Sequence, residues 1–362
     1  MDHSGRREKL RKLLERSGAE ALLVTSPPNV TYLTGFTGDS SYLLVTQRHQ
    51  VLISDGRYST QIEEECPGLE MNIRRPGVLI HHQTAKVLRA AGISRLAIEA
   101  DSMTVAVRER IAEKLPKLEI GATTGMVEHL RQVKDKDELA LIRQAAKIAE
   151  KSFAVIRAGL RPEQTEKQIG DALDHQIRLF GGEGPAFATI VAVGSRAALP
   201  HARLSDCRMG DGDILLVDWG AQWRLYKSDL TRVLMTGRIS TKLRRVYEVV
   251  LCAQARAIAA VRPGVPTTEV DAAARSAIAE AGWDRRFNHG IGHGFGLEIH
   301  EWPRMSGKDT ARLKPGMVVT VEPGVYIPGW GGVRIEDDLL VTRDGHEVLT
   351  SLPKQFDEMV VS

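Results

Sequence analysis

The sequence predicts two tandem domains, an α/β domain over residues 1–125 and an α+β domain over 126–362 in which paired helices lie on an antiparallel sheet. Three observations lead there. A chain of 362 residues exceeds one average domain and fits two. Its first third alternates helical with strand-like patterns, the mark of an α/β layer. Its remainder groups long helical stretches in pairs, separated by clusters of short apolar runs.

In the first domain Arg6–Ser17 is helical and Ala21–Val24 is an apolar strand run. Tyr42–Thr46 and Val51–Ser54 read as a strand pair, followed by helices at Arg57–Glu65 and near Thr84–Ala91. A strand at Leu96–Glu99, an amphipathic stretch at Val105–Leu115 and a last short strand at Leu118–Ile120 complete it. The charge run Lys134-Asp135-Lys136-Asp137-Glu138 marks the boundary region, and its acids also suit the positive end of a helix.

In the second domain Leu139, Ile142, Ala146, Ala149, Phe153 and Ile156 recur at helical spacing until Gly159 and Pro162 end the pattern. Thr165 with Gln168 opens a second helix as a capping box. The helix Lys242–Ala260 also ends in an Arg-Pro turn, and Thr268 with Asp271 starts the next. The echo admits two explanations, chance similarity of helix ends or a duplicated half-domain. Strand-like runs lie at Phe187–Val193, Ile214–Asp218, Leu230–Met235, Met317–Glu322, Val333–Ile335 and Asp338–Val341.

Lys+Arg 49 against Asp+Glu 46 leaves +3, too little field for nucleic acid or an anionic membrane. No apolar run approaches the roughly 18 residues of a membrane span, and the charged N-terminus lacks a secretion signal. Cys66, Cys207 and Cys252 show no metal-like spacing. Three isolated cysteines read as reduced thiols, so a cytoplasmic location is expected.

Ionisable residues concentrate in three strand-like settings. Asp218 follows the apolar run Ile214–Val217, and Asp229 opens another, so a hairpin would set both acids on adjacent strands. Taken singly, each also reads as a turn-capping aspartate. His289, His293 and His300 fall within the stretch His289–Glu301, where Gly292 and Gly294 bracket His293 and permit close backbone approach. The stretch fails the G-x-G-x-x-G spacing, since Phe295 stands at the third glycine. Glu322 ends a strand, and Glu336 lies in another with Arg334 on the same face, where a plain ion pair is the competing explanation.

Four buried carboxylates cannot share one site unaided, because each like-charge pair at 4 Å costs roughly 4 kcal/mol at an effective dielectric of about 20. Either several stay protonated or cations neutralise them. Two divalent ions balance four carboxylates, and oxygen ligands with one nitrogen suit manganese, cobalt, iron or zinc. Such a pair holds a bridging hydroxide and polarises a carbonyl, which suits amide hydrolysis. No G-x-S-x-G or H-E-x-x-H offers a rival, and Cys207 near His201 is a weak pairing.

At these residues the sequence resembles the pita-bread metallopeptidases, the superfamily of aminopeptidase P, prolidase and methionine aminopeptidase. Its pattern stands here in order as Asp218, Asp229 in Ser-Asp-x-Thr-Arg, Gly-His-Gly at His293, His300-Glu301, Glu322-Pro323-Gly324 and Arg334-Ile335-Glu336-Asp337. Asn29–Phe36 and Ser54–Tyr58 look like the creatinase-type N-terminal domain of the proline-directed members. The resemblance implies a pseudo-two-fold C-terminal fold with two divalent ions, manganese above cobalt, zinc or iron. Asp218 would hold one ion, Asp229 and Glu336 both, and His293 and Glu322 the other, with Glu322 shuttling a proton. His201 is implied for the oxyanion, His300 for hydrogen bonding near the scissile carbonyl, and Arg334 for positioning Glu336 or a substrate carboxylate. His289, His300 and Phe295 would wall a proline slot.

The resemblance further implies a homodimer that cleaves proline-containing peptides. Length and the stretch Thr34–Asp39 tilt the expectation toward aminopeptidase P, which removes the first residue of Xaa-Pro-Yaa, over prolidase, which splits Xaa-Pro dipeptides. A metal-free creatinase-like hydrolase and a non-catalytic peptide-binding homologue are the remaining alternatives, and the intact ligand set opposes both.

Overall fold

A computed structural model of the chain describes residues 1–211, 214–236 and 239–361. It divides into two compact units, Met1–Arg131 and Gln132–Ser362. The expected break after residue 125 therefore falls inside the first unit, ahead of its last helix.

Unit 1 contains α1 (His3–Ser17), β1 (Ala21–Val24), α2 (Pro27–Thr34), β2 (Tyr42–Thr46), β3 (Gln50–Asp55), α3 (Ser59–Glu65), β4 (Glu70–Arg74), α4 (Ile80–Ala90), β5 (Arg95–Glu99), α5 (Val105–Lys114), β6 (Glu119–Thr123) and α6 (Glu128–Arg131). The strands form one mixed sheet in the order β4-β3-β2-β1-β5-β6. β2 is antiparallel to β1 and β3, and the outer pairings are parallel. β1 is buried on both faces, as its unbroken apolar run requires. The helix α2 was not expected from periodicity. Pro27 fits its first position, and Glu99 accepts the Thr25 and Ser26 amides at 2.6 and 2.8 Å in place of a side-chain cap.

Unit 2 opens with α7 (Lys136–Ala158) and α8 (Glu166–Leu179). Asp135 and Glu138 close a capping box on α7, and Thr165 with Gln168 does so on α8. Next come β7 (Gly184–Pro185), β8 (Ile190–Val193), β9 (Ile214–Trp219), β10 (Ala221–Trp223), β11 (Tyr226–Lys227) and β12 (Leu230–Met235). A second helix pair follows, α9 (Thr241–Ala260) and α10 (Thr267–Glu280). The chain ends with β13 (Gly292–Gly294), β14 (Glu301–Met305), β15 (Val318–Val321), β16 (Gly324–Ile327), β17 (Gly331–Arg334), β18 (Asp337–Val341) and β19 (His346–Val348).

The sheets are antiparallel: β12-β9-β8 follows the first helix pair and β14-β13-β15-β18-β19 the second. The echo in the sequence has a structural counterpart. The Glu166 amide donates to Cys207 O as α8 begins, and the Thr267 amide donates to Ala311 O as α10 begins, both at 2.9 Å. Thr268 does not cap α10; the helix starts one residue earlier, and the Thr267 hydroxyl donates to Asp309 O at 2.6 Å. One large core runs beneath both halves, with Trp219 stacked on Phe153 at 4.3 Å and its indole N–H donating to Ala149 O. The two half-sheets join at the Glu336 amide, which donates to Thr231 O at 3.2 Å.

Candidate metal centre

The acids of the first half-sheet come from one strand pair. In the β9–β12 register Asp218 lies opposite Thr231, and Asp229 immediately precedes β12. From the second half, Glu336 stands between β17 and β18 rather than within a strand, and Glu322 directly follows β15. Asp218, Asp229 and Glu336 each present a carboxylate oxygen within 4.8 Å of the others.

His293 reaches the same spot from β13. Its Nε2 lies 3.6 Å from Asp229 Oδ2 and 3.4 Å from Glu322 Oε1. The flanking glycines follow from space. A Cβ at Gly292 would meet Thr320 O at 2.2 Å, and one at Gly294 would meet Trp302 O at 2.2 Å. The strand can pass between β15 and β14 at this separation only without side chains at those positions. All five expected ligands thus converge in unit 2.

The proton on His293 is located by its surroundings. Nδ1 lies 3.1 Å from Gly294 O, which only accepts, so Nδ1 carries the hydrogen and Nε2 turns a lone pair toward two carboxylates. Burial first, and then the neighbouring His300, hold this imidazole down to about 3, so it does not become cationic to relieve the contact. Asp218 Oδ1 is buried without a hydrogen-bond partner. Burial and mutual repulsion raise Asp229 and Glu336 well above the usual carboxylate range, and burial pushes Glu322 up to about 8 against the pull of Arg334. Lone pairs facing lone pairs, with one guanidinium for four acids, fit divalent cations at the centre. The donor set, four carboxylates and one imidazole, is that of a hard to borderline metal pair.

Arg334 is committed differently from expectation. Fully buried, it donates Nε to Thr231 Oγ1 at 3.1 Å, Nη1 to Tyr326 Oη at 2.9 Å and Nη2 to Asp218. It meets Glu336 through Thr231, whose hydroxyl donates to Glu336 Oε2 at 2.6 Å, and it also lines the cavity. His289 likewise spends both nitrogens. Nδ1 donates to Gly290 O at 2.8 Å, and Nε2 accepts the Tyr326 hydroxyl at 2.9 Å, which leaves the ring only a face to offer a ligand.

A cavity of about 1210 Å³ opens onto these groups, and His201, His289 and His300 line it. The His300 ring packs against His293 at 4.5 Å, nearly perpendicular. Phe295, expected as a wall, is fully buried and does not reach the cavity; Phe187 lines it instead. Sequence reading also missed Tyr326 and Arg304. Tyr326 reads as a core aromatic in β16, and its buried hydroxyl, which needs partners, was the available signal. Arg304 occupies an outward position of the alternating strand β14, so it resembles an ordinary solvated charge. Behind the centre, Arg232 is wholly buried and donates to Asp337 Oδ1 at 2.8 Å and to Glu336 O at 2.5 Å.

Residues 140–343 match the family described as Metallopeptidase family M24, and residues 6–133 match the Creatinase/Prolidase N-terminal domain. The chain belongs to metallopeptidase family M24, with a creatinase-type domain ahead of the pita-bread domain. It is 36% identical to an Xaa-Pro dipeptidase of Pyrococcus horikoshii, over 96% of this chain and 98% of that one. The fold is similar to a solved Xaa-Pro dipeptidase from Bacillus anthracis, with TM-score 0.95, 37% identity and coverage of 99% and 100% of the two chains. It is also similar to a solved X-Pro aminopeptidase from Thermotoga maritima, with TM-score 0.88, 35% identity and coverage of 96% and 99%. The three cysteines are free, and no helix among the described residues is long and apolar enough to cross a membrane.

Proposed function

We propose that the chain is a dinuclear-metal prolidase, hydrolysing Xaa-Pro dipeptides in the cytoplasm. The observation that carries the reading is the convergence of three buried carboxylates, the half-buried Glu322 and an imidazole lone pair on one cavity. The earlier tilt toward aminopeptidase P gives way for two reasons. The relatives include two Xaa-Pro dipeptidases, and the cavity carries a guanidinium, Arg304, suited to the free carboxylate of a dipeptide.

Asp218, Asp229, His293, Glu322 and Glu336 would hold two divalent ions, manganese before cobalt, zinc or iron. Bound there, the ions would acidify a water and polarise the scissile carbonyl. Glu322 then takes the proton of the attacking water and passes it to the proline nitrogen, a secondary amine that must be protonated to leave. Thr320 steadies this carboxylate, its hydroxyl lying 3.3 Å from Oε1. His201 and His300, on the cavity wall, donate to the carbonyl oxygen as charge develops there. An Xaa-Pro bond has no N–H, and the site asks for none; the face of His289 packs against the pyrrolidine ring instead.

Aminopeptidase P is the second reading, favoured by the resemblance to the Thermotoga protein and by a cavity roomier than a dipeptide fills. The test compares kcat/KM for Xaa-Pro with Xaa-Pro-Yaa, with and without chelator, in the native chain and in Arg304→Gln. Dipeptides should be preferred, with KM rising about tenfold or more in the variant as a charged hydrogen bond is lost. Preference for the tripeptide moves the assignment to aminopeptidase P. A protein loaded with two metals that cleaves neither would end both readings.

A further inference from the structure

The cavity has a second acidic feature away from the metal centre. Asp174 lies on the inward face of α8, which it shares with Leu173 and Ile177 from the core. At Gly170, one turn earlier, a Cβ would meet Leu204 at 2.7 Å, so α8 packs directly on the loop that carries His201. The Asp174 carboxylate lines the cavity beside Phe187, Thr189, Ile190 and Leu204. Its Oδ1 accepts the Thr189 hydroxyl at 2.6 Å, and among the described residues it has no ion-pair partner. Arg178, one turn further along α8, turns instead to the carbonyl of Glu183.

Position gives this carboxylate its meaning. Thr189 precedes Ile190, whose partner on the next strand is Asp218, at the usual antiparallel Cα spacing of about 5 Å. Asp174 is thus held at the β8 wall, beside the centre but not part of it. Arg304 lies on β14, in the other half-sheet, and His300 in the segment just before that strand. If the proline carboxylate lies at Arg304, the preceding residue extends toward Phe187, Thr189 and Asp174.

Resting on the Xaa-Pro reading above, we infer that Asp174 selects the residue before proline, favouring a lysine or arginine side chain. The aromatic and aliphatic wall covers the methylene stem, and the carboxylate, oriented by Thr189, receives the cationic end. Burial and the neighbouring Asp171 raise this carboxyl above its ordinary value, the environment in which a bound cation has most to offer.

The test measures kcat/KM for Lys-Pro against norleucine-Pro, which keeps the stem and lacks the charge, and against Glu-Pro. The native protein should prefer Lys-Pro over norleucine-Pro by about tenfold, the scale of one charge-assisted hydrogen bond. Asp174→Asn should bring that ratio near one, Asp174→Glu should retain most of it, and Asp174→Lys should favour Glu-Pro. Product inhibition gives a readout apart from turnover, free lysine inhibiting more strongly than norleucine in the native chain and equally in Asp174→Asn. Xaa-Pro cleavage with equal rates for Lys-Pro and norleucine-Pro overturns this inference and leaves the prolidase reading intact. Absence of any Xaa-Pro cleavage by metal-loaded protein overturns both.

Discussion

Replacing Arg232 by methionine tests whether the metal centre depends on the buried charge behind it. The guanidinium makes five hydrogen bonds: Nε to Pro353 O at 3.0 Å, Nη1 to Thr231 O at 3.0 Å and Glu336 O at 2.5 Å, and Nη2 to Asp337 Oδ1 at 2.8 Å and Leu352 O at 2.9 Å. Methionine fills the space of the stem and supplies none of them. Asp337 keeps Lys354, Thr350 and Gln254, yet loses the neighbour that does most to hold its carboxyl low against burial. Removing one partner of a buried pair costs about 3–5 kcal/mol. That is a large share of the roughly 5–15 kcal/mol that keeps a domain folded. All five tryptophans, Trp219, Trp223, Trp283, Trp302 and Trp330, belong to unit 2, so urea unfolding followed by their fluorescence reports on this unit. Calorimetric titration with manganese provides the second measurement. Because Arg232 holds the Glu336 carbonyl, affinity should fall about ten- to a hundredfold, as for other groups that orient a ligand. A variant within about 1 kcal/mol of the native protein, with unchanged manganese affinity, would refute the reasoning.

Asp229→Ala should abolish hydrolysis and lower the metal content found by elemental analysis; full metal content with near-normal turnover would remove Asp229 from the centre. His300→Ala should cut kcat by about 10²–10³ while the metals stay, since it takes away a donor at the developing charge. Metal loss in that variant would place His300 among the ligands. In unit 1, Asp55 is held down to about 2, chiefly by its bond to Arg57, with Arg74 assisting. A depressed carboxyl stabilises the fold above its ordinary value of 3.8, and the contribution is lost as pH falls through about 2. Asp55→Asn should therefore be less stable than the native chain near neutrality, with the gap closing on acidification; a calorimetric deficit that is the same at pH 7 and pH 2 counts against this account.

The sequence was most legible where pattern and packing coincide. The runs Ile214–Asp218 and Leu230–Met235 became β9 and β12 nearly residue for residue, because strands buried on both faces are continuously apolar. The helix α8 was placed by the cap its own side chains form, Thr165 with Gln168. Unit 1 was harder to read. α2 takes its cap from Glu99, distant in sequence, and β4 offers only Met71 and Ile73 as an apolar alternation among Glu70, Asn72 and Arg74, with none of the five fully buried. At the centre, residue types and order identified the five converging groups, but the partners of Arg334 and His289 depend on Tyr326 and Thr231, which no local spacing links to them. Lys134 shows the same limit. Read as part of a charged boundary run, it is buried and pairs with Glu301 at 3.1 Å, a contact between positions 134 and 301.

The tether from Arg232 to the carbonyls of Leu352 and Pro353 bears on the birth of the protein as well as its stability. Asp218 and Glu336 stand 336 − 218 = 118 positions apart, and the bonds bracing them reach further still, to Pro353. During synthesis, a ribosome-borne chain holds no complete set of donors until Glu336 has emerged, and Arg232 lacks its full set of partners until Pro353 follows. On the proposed reading ion capture is a late event in maturation, and a product terminated before Glu336 lacks part of the donor set.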